Sequence, residues 1–179
     1  MDIIVLYKSK YGYTKKYAEW IAEELECDLS DVSKVNERLL SNYDLIIFGG
    51  GLYASGINGI KTIIKHFKNI KDKRLIVFSV GLTDPEDKLQ FVSVKDKNFP
   101  DDLLGYVEVH QLRGGIDYNR LKIIDKSLLK AMKNLIEKKS EDERTDVEKI
   151  LLSTYGKTVD YSDRDSIKAI IDSVRKVKK

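Results

Sequence analysis

Three short apolar runs punctuate the first half of the chain, at residues 3–7, 44–49 and 74–80. Each is continuous rather than alternating and is bounded by polar or glycine residues, the pattern of a strand buried on both faces of a parallel sheet. Between them the period changes. Ala18, Ile21, Ala22 and Leu25 fall at i, i+3, i+4 and i+7, and Ile60, Ile63, Ile64 and Phe67 repeat that spacing. Residues 15–25 and 60–67 are therefore predicted as amphipathic helices. Residues 27–35 alternate loosely and predict a short strand, with Asp28 and Asp31 suited to a sheet edge. Residues 36–41 read as a short helix or turn, and residues 106–112 alternate again as a last strand. Leu121, Ile124, Leu128, Met132 and Leu135 mark a helix of roughly four turns. Ile167, Ile170, Ile171 and Val174 mark a final one, with caps available among residues 160–165. Residues 86–104, between Pro85 and Pro100, are expected to form an excursion with at most one helix. Residues 138–149 are a mixed-charge run, expected to be a solvated loop leading into a helix start.

Strands alternating with helices give an α/β sheet with right-handed crossovers. About five strands in this sequence fit the doubly wound order 2-1-3-4-5, whose ligand site lies at the switch point between strands 1 and 3. The 179 residues fit a single domain, 1–179, with no repeat or linker. Hydrophobic content of 42% and charged content of 34% are those of a soluble globular chain. One cysteine and two histidines permit no internal disulfide and make no metal constellation. Met1-Asp2 runs straight into the first strand with no basic leader, and no apolar run approaches the ~18 residues of a membrane span, so a cytoplasmic protein is expected. The net charge of +3 is spread among interleaved acids and bases and leaves no nucleic-acid footprint. The basic end from Arg175 to Lys179 complements a helix dipole and offers at most a weak peripheral attraction to the inner face of an anionic membrane.

The candidate chemistry lies where strands end. Ser9-Lys10-Tyr11-Gly12-Tyr13-Thr14 joins the first strand to its helix without an acidic residue. Such a turn aims unsatisfied backbone N–H groups and the positive end of a helix dipole at one point, which favours an anion. Ser9, Tyr11 and Thr14 add hydroxyls, and Gly12 lets backbone approach a ligand closely. The same residue types also make an ordinary strand-to-helix turn. Residues 49–59 hold five glycines in eleven positions, which packs backbone against something flat or supplies positive φ. Leu52 and Tyr53 are the candidates to meet a ring there, Tyr53 by stacking. A third loop, residues 79–84, offers Gly81 and Thr83. Gly49-x-Gly51-x-x-Ala54 also fits the short dinucleotide fingerprint, but no helix opens at once and the next strand ends in Phe78-Ser79-Val80 without an acid, which excludes that site. There is no P-loop, and Tyr7-Lys8 stand where a receiver domain needs an acid.

Ser9-x-x-Gly12-x-Thr14 after a first strand resembles the FMN-phosphate loop of the flavodoxin family, and the three loops extend the resemblance over nearly the whole chain. It implies a flavodoxin-like fold of five parallel strands with helices on both faces. It implies FMN with its phosphate held by Ser9, Lys10, Tyr11, Gly12, Tyr13 and Thr14. The ring would meet Gly50, Gly51, Leu52 and Tyr53 and be closed over by Gly81 and Thr83. The strand exit Gly114-Gly115-Ile116-Asp117-Tyr118-x-x-Leu121 is similar to that of menaquinone-dependent protoporphyrinogen oxidases. That branch tends to be basic, as this chain is, and implies an oxidoreductase passing hydride or electrons to a quinone or another small-molecule acceptor. The second loop departs from it: Leu52-Tyr53-Ala54-Ser55-Gly56 stands where the branch carries a basic residue and a histidine. A non-catalytic electron carrier docking on a redox partner protein, or a flavin-less scaffold, are the alternatives. Flavin chemistry needs no catalytic side chain, and His66 and His110 read as surface or packing residues.

Overall fold

The computed structural model of the chain describes residues 1–66 and 72–176. Its elements run β1 (Ile3–Lys8), α1 (Tyr13–Leu25), β2 (Asp28–Asp31), α2 (Glu37–Ser41), β3 (Leu45–Tyr53), β4 (Gly56–Ile57), α3 (Ile60–His66), β5 (Arg74–Gly81), α4 (Lys88–Asn98), α5 (Asp101–Leu104), β6 (Val107–Arg113), β7 (Gly115–Asp117), α6 (Ile123–Ile136), α7 (Asp146–Thr154), β8 (Thr158–Asp160) and α8 (Lys168–Lys176). Five strands pair in parallel in the order β2-β1-β3-β5-β6. Passing over the two-residue β4, this is the expected 2-1-3-4-5.

The continuous apolar runs are continuous because both faces are covered. Leu6, Ile46, Phe48 and Val77 point to one side, where Ile60, Ile63, Val94, Phe99 and Leu103 pack on them. Val5, Ile47, Ile76 and Phe78 point to the other, against Tyr17, Ala18 and Ile21 of α1 and Ile170, Ile171 and Val174 of α8. The final helix is buried through three of the four residues its period marks, and Ile167 is buried just before it.

Several expectations are corrected. The sheet is not purely parallel: β4 folds back antiparallel on the end of β3, pairing Leu52 with Ile57, and β7 and β8 make a separate antiparallel ribbon. The first three glycines of residues 49–59 belong to β3 rather than to a loop. Gly49 pairs with Tyr7 on one side and Phe78 on the other, and a Cβ there would be driven into the Phe78 ring. β2 stops at Asp31 because that side chain accepts the Ser33 N–H at 2.8 Å and opens a 3-10 turn. Residues 86–104 hold two helices, α4 capped by Asp87 and α5 entered through Pro100, and their Val94, Phe99 and Leu103 fill the core. The run 138–149 is, as expected, an exposed loop leading into a helix start, with two capping boxes, Ser140 with Glu143 and Thr145 with Glu148, that start a 3-10 turn and α7.

The largest difference concerns α6. Of the residues its period marks, Ile124, Leu128 and Leu135 are 80%, 59% and 64% exposed, and α6 packs on α7. The two helices form an excursion that leaves the sheet after β7 and returns through β8. Phe67 of the third predicted helix and the last three residues of the basic end lie outside the described residues.

Candidate functional site

The loop after β1 is built around one backbone feature. Gly12 caps α1 with φ 101° and ψ −27°, a conformation that side-chain-bearing L residues rarely adopt. Its N–H donates to Ser9 Oγ at 3.0 Å, and its carbonyl accepts the first intrahelical bond, from Lys16 N–H at 2.9 Å. The N–H groups of Tyr13, Thr14 and Lys15 therefore have no acceptor within the helix. No side chain caps α1, and its first turn carries no acid. The positive end of the dipole is thus unopposed by its own helix. Nothing lies within 4 Å of where a Gly12 Cβ would stand, so the loop is open on that side. Thr14, only 3% exposed, lines the floor. A Cβ placed on Gly51 would stand 3.1 Å from the Tyr53 ring, 3.4 Å from its hydroxyl and 3.5 Å from Thr14 Oγ1. Loop, strand β3 and Tyr53 converge there.

The outer lip comes from a distant part of the chain. Asp125, in the first turn of α6, accepts a hydrogen bond from Lys10 Nζ at 2.6 Å and a short one from the Tyr11 hydroxyl. The Lys122 N–H donates to that same hydroxyl at 3.3 Å. Lys10 Nζ also stands 5.5 Å from the Tyr11 ring centroid and 5.9 Å from that of Tyr53. Hydrogen bonds from Lys10 and Tyr11 hold the Asp125 carboxyl below the usual carboxylate range, and the same contact raises the Lys10 ammonium. Burial raises the Tyr11 phenol, and its bond to Asp125 adds to this. Tyr53 is pushed up to about 12, by burial first and then by Tyr11 and Asp125. The residue is 46% exposed, but its hydroxyl is folded inward over Gly51.

The remaining predicted residues are placed less uniformly. Tyr13 contributes only its N–H, since its ring lies where a Cβ on Gly115 would meet it at 2.6 Å. Gly50 pairs with Lys8 and Ser79, and the space beside it is taken by Ile57 and the Asn58 carbonyl. Its glycine serves the hairpin, not the loop. Leu52 and Gly81 touch, a Gly81 Cβ standing 3.2 Å from Leu52 Cδ2, so the second and third loops pack on each other. Thr83 is buried with its hydroxyl bonded to Gln90 of α4. Ser9, Lys10, Tyr11, Gly12, Thr14, Gly51 and Tyr53 are brought together; Gly50 and Thr83 are engaged elsewhere.

Sequence reasoning missed two supports. Asp125 looks like an ordinary first-turn acid complementing a helix dipole. Asn98, buried at the end of α4, accepts the Ile57 N–H at 2.7 Å and donates to the Ser55 and Val94 carbonyls at 2.6 and 2.7 Å. It pins the hairpin whose turn residues Ala54 and Ser55 have φ 45° and 63°, and so fixes where Tyr53 leaves the sheet. Among the described residues no cluster of His, Cys, Asp or Glu suits a metal ion, and no helix is long and apolar enough to cross a membrane.

Compared with known proteins, residues 4–144 match the flavodoxin domain family. An uncharacterised protein of Methanocaldococcus jannaschii is 38% identical over 84 residues, 45% of this chain and 55% of that one. The match thus spans about half the length of that relative. Among solved structures, a WrbA-like flavodoxin from Agrobacterium tumefaciens superposes with a TM-score of 0.48 at 18% identity, covering 85% of this chain and 91% of that one. A flavoprotein in complex with FMN from Lactobacillus acidophilus gives 0.43 at 19% identity, covering 63% and 91%. The family match runs from β1 to the turn before α7, and the chain belongs to the flavodoxin domain family.

Proposed function

We propose that this protein binds FMN and serves as a redox protein, with the phosphate seated on the loop of residues 9–14. The observation that carries the reading is the trio of N–H groups at Tyr13, Thr14 and Lys15, presented by Gly12 at φ 101° beside open space and with no acid in the first turn. A phosphate dianion takes such donors in charge-assisted hydrogen bonds. FMN, when bound, supplies the one- or two-electron chemistry. The chain's own residues hold and shield it. Thr14 and Ser9 add hydroxyls at the phosphate, Tyr53 offers an aromatic face to the ring, and the Leu52–Gly81 contact gives an apolar floor. Asn98 and Lys97, which donates to the Ala54 carbonyl at 2.6 Å, keep the hairpin in place.

The finer reading is an oxidoreductase similar to menaquinone-dependent protoporphyrinogen dehydrogenases, passing electrons to a quinone or another small acceptor. It is supported by the exit Gly114–Leu121, whose Gly115 packs against Tyr13 at the head of α1. An electron carrier with a protein partner is the second reading, favoured by the exposed Ile123, Ile124, Leu128 and Leu135 on α6, a helix that also touches the loop. The test is a visible titration of the purified protein with FMN. Stoichiometric binding with quenched fluorescence is expected, and a folded protein that leaves FMN unbound would overturn the proposal. Reoxidation of the bound, reduced flavin by a soluble quinone, with no second protein present, separates enzyme from carrier.

A further inference from the structure

We propose that Arg113 is a positioning residue for the flavin ring: it clamps the Gly81–Leu82 backbone in the place where, with Leu52, it forms the floor under the ring. This rests on the FMN reading. The third loop leaves β5 at Gly81, which pairs with Arg113, the last residue of β6. The end of β6 takes two consecutive carbonyls of that loop. The Gly114 N–H donates to the Gly81 carbonyl at 2.6 Å, and Arg113 Nε donates to the Leu82 carbonyl at 3.1 Å. The guanidinium carbon stands 3.9 Å from the centroid of the Tyr161 ring, a close cation–π contact. The acids of the same loop serve its backbone: Asp84 accepts the Glu86 N–H and Asp87 the Gln90 N–H, each at 3.0 Å. A side chain that holds a loop carbonyl with one edge and an aromatic ring with its plane fixes direction as well as distance, which arginine does and lysine does not.

Both jaws of the clamp are tied to the elements that carry the phosphate loop. The Arg113 carbonyl accepts the hydroxyl of Tyr17, a buried residue of α1, at 2.7 Å. The Tyr161 N–H donates to the Gly114 carbonyl at 3.0 Å. Asp160, just before it, pairs with Gly115 and accepts Lys16 Nζ of α1 at 3.1 Å. The position of Gly81 and Leu82 is therefore referred to α1, whose head is the proposed phosphate seat. On the other side Gly81 meets Leu52, at 3.2 Å from a Cβ placed on the glycine to Leu52 Cδ2. Without the Arg113 side chain the Leu82 carbonyl loses its donor and the Tyr161 ring its cation. The loop then samples other positions, and the apparent affinity for the ring falls by the fraction of time that the floor is in place. The phosphate donors at Tyr13, Thr14 and Lys15 are untouched.

The experiment measures Kd for FMN and riboflavin by fluorescence quenching, well below Tm, on the full chain and on Arg113→Leu, Arg113→Lys, Tyr161→Phe and Tyr161→Leu, with circular dichroism as the folding control. Arg113→Leu is expected to weaken both flavins about tenfold, as for a floor in place about a tenth of the time, with the ratio of the two affinities unchanged. Arg113→Lys does not restore binding. Tyr161→Phe keeps the ring face and binds both flavins as the unaltered protein does, whereas Tyr161→Leu weakens both. A merely structural role lowers Tm and leaves Kd of the folded protein where it was, which overturns the proposal. Full rescue by Arg113→Lys overturns it too, since charge alone then suffices, and so does a loss confined to FMN, which would place Arg113 at the phosphate. Should Arg113→Leu fail to fold, the Tyr161 pair decides: equal affinities in the Phe and Leu variants overturn the clamp. Any of these results leaves the FMN reading standing. Failure of the unaltered protein to bind either flavin overturns that reading, and the positioning proposal with it.

Discussion

Replacing Gly12 by valine separates the cost of a backbone conformation from the cost of a blocked ligand. At φ 101° and ψ −27° a residue with a Cβ is strained, and a β-branched one most of all, by about 1–3 kcal/mol. No neighbour adds to this, because nothing lies within 4 Å of the new Cβ. Against a typical stability of roughly 5–15 kcal/mol the domain stays folded. At about 2–4 °C per kcal/mol for a chain of this size, Tm falls by about 2–12 °C. Binding suffers more. The two methyls enter the open side of the loop, and losing one or two charge-assisted hydrogen bonds of about 1.5–3 kcal/mol each raises Kd by about tenfold to ten-thousandfold. Thermal melts followed by circular dichroism give the first quantity and FMN quenching the second. Gly12→Ala, with similar strain and one methyl, is expected to melt within a few degrees of the valine variant and to bind better. A Gly12→Val protein that holds FMN within threefold of the unaltered chain would refute the assignment of the loop.

The same geometry sets the outcome of other perturbations. Asn98→Leu leaves the Ile57 N–H and the Ser55 carbonyl without their partner, and urea denaturation is expected to show a loss of about 2–6 kcal/mol at about 1–3 kcal/mol per orphaned buried group; a loss under about 1 kcal/mol contradicts the pinning role. Ile124→Ala, on the exposed face of α6, is expected to change stability by less than about 0.5 kcal/mol. Ile171→Ala, buried between α8 and the sheet, is expected to cost about 2–5 kcal/mol; similar losses in the two variants would mean that α6 is covered. Tyr53 and Tyr43 are both pushed up to about 12, Tyr43 chiefly by its bond to Asp28. A phenol raised in the folded state adds stability below its unfolded value near 10 that is lost as pH rises through 12. Tm should therefore fall between about pH 10 and 12, and Tyr53→Phe should shrink both that fall and the late phenolate absorbance; an unchanged alkaline curve would place the Tyr53 hydroxyl in solvent.

The parts of the fold that were legible in sequence are those with one physical solution. A continuous run such as Leu45–Phe48 must be covered on both faces, and the strand order follows from the alternation with helices. α6 shows the limit of that logic. The spacing of Ile124, Leu128 and Leu135 reveals an apolar stripe, but a period cannot say whether anything lies against it, and here α7 takes another side of the helix. Gly50 and Gly51 misled for a different reason: a glycine admits positive φ in a turn, but it also admits close neighbours in a strand, and only the register with Ser79 and Val80 separates the two. The start of α7 was legible in the mixed-charge run, and Thr145-Asp-Val-Glu148, a capping-box sequence ahead of an apolar run, places its cap. Of the candidate site, the open loop at the head of α1 was readable because its N–H groups belong to consecutive residues. Asp125 was not, because its role depends on an excursion bringing it back to Lys10 and Tyr11. The Thr83 hydroxyl is bonded to Gln90 of α4, a tie that could not be read because the sequence left that helix undefined.

The central claim is that the N–H groups at the head of α1 receive the phosphate of FMN. Backbone amide NMR of the protein during titration with FMN and, separately, riboflavin tests it directly. The account predicts that FMN moves the Tyr13, Thr14 and Lys15 amide protons downfield and shifts Gly12, while riboflavin leaves these four signals in place. FMN binding that leaves them unmoved, or that shifts them no more than riboflavin does, would contradict it.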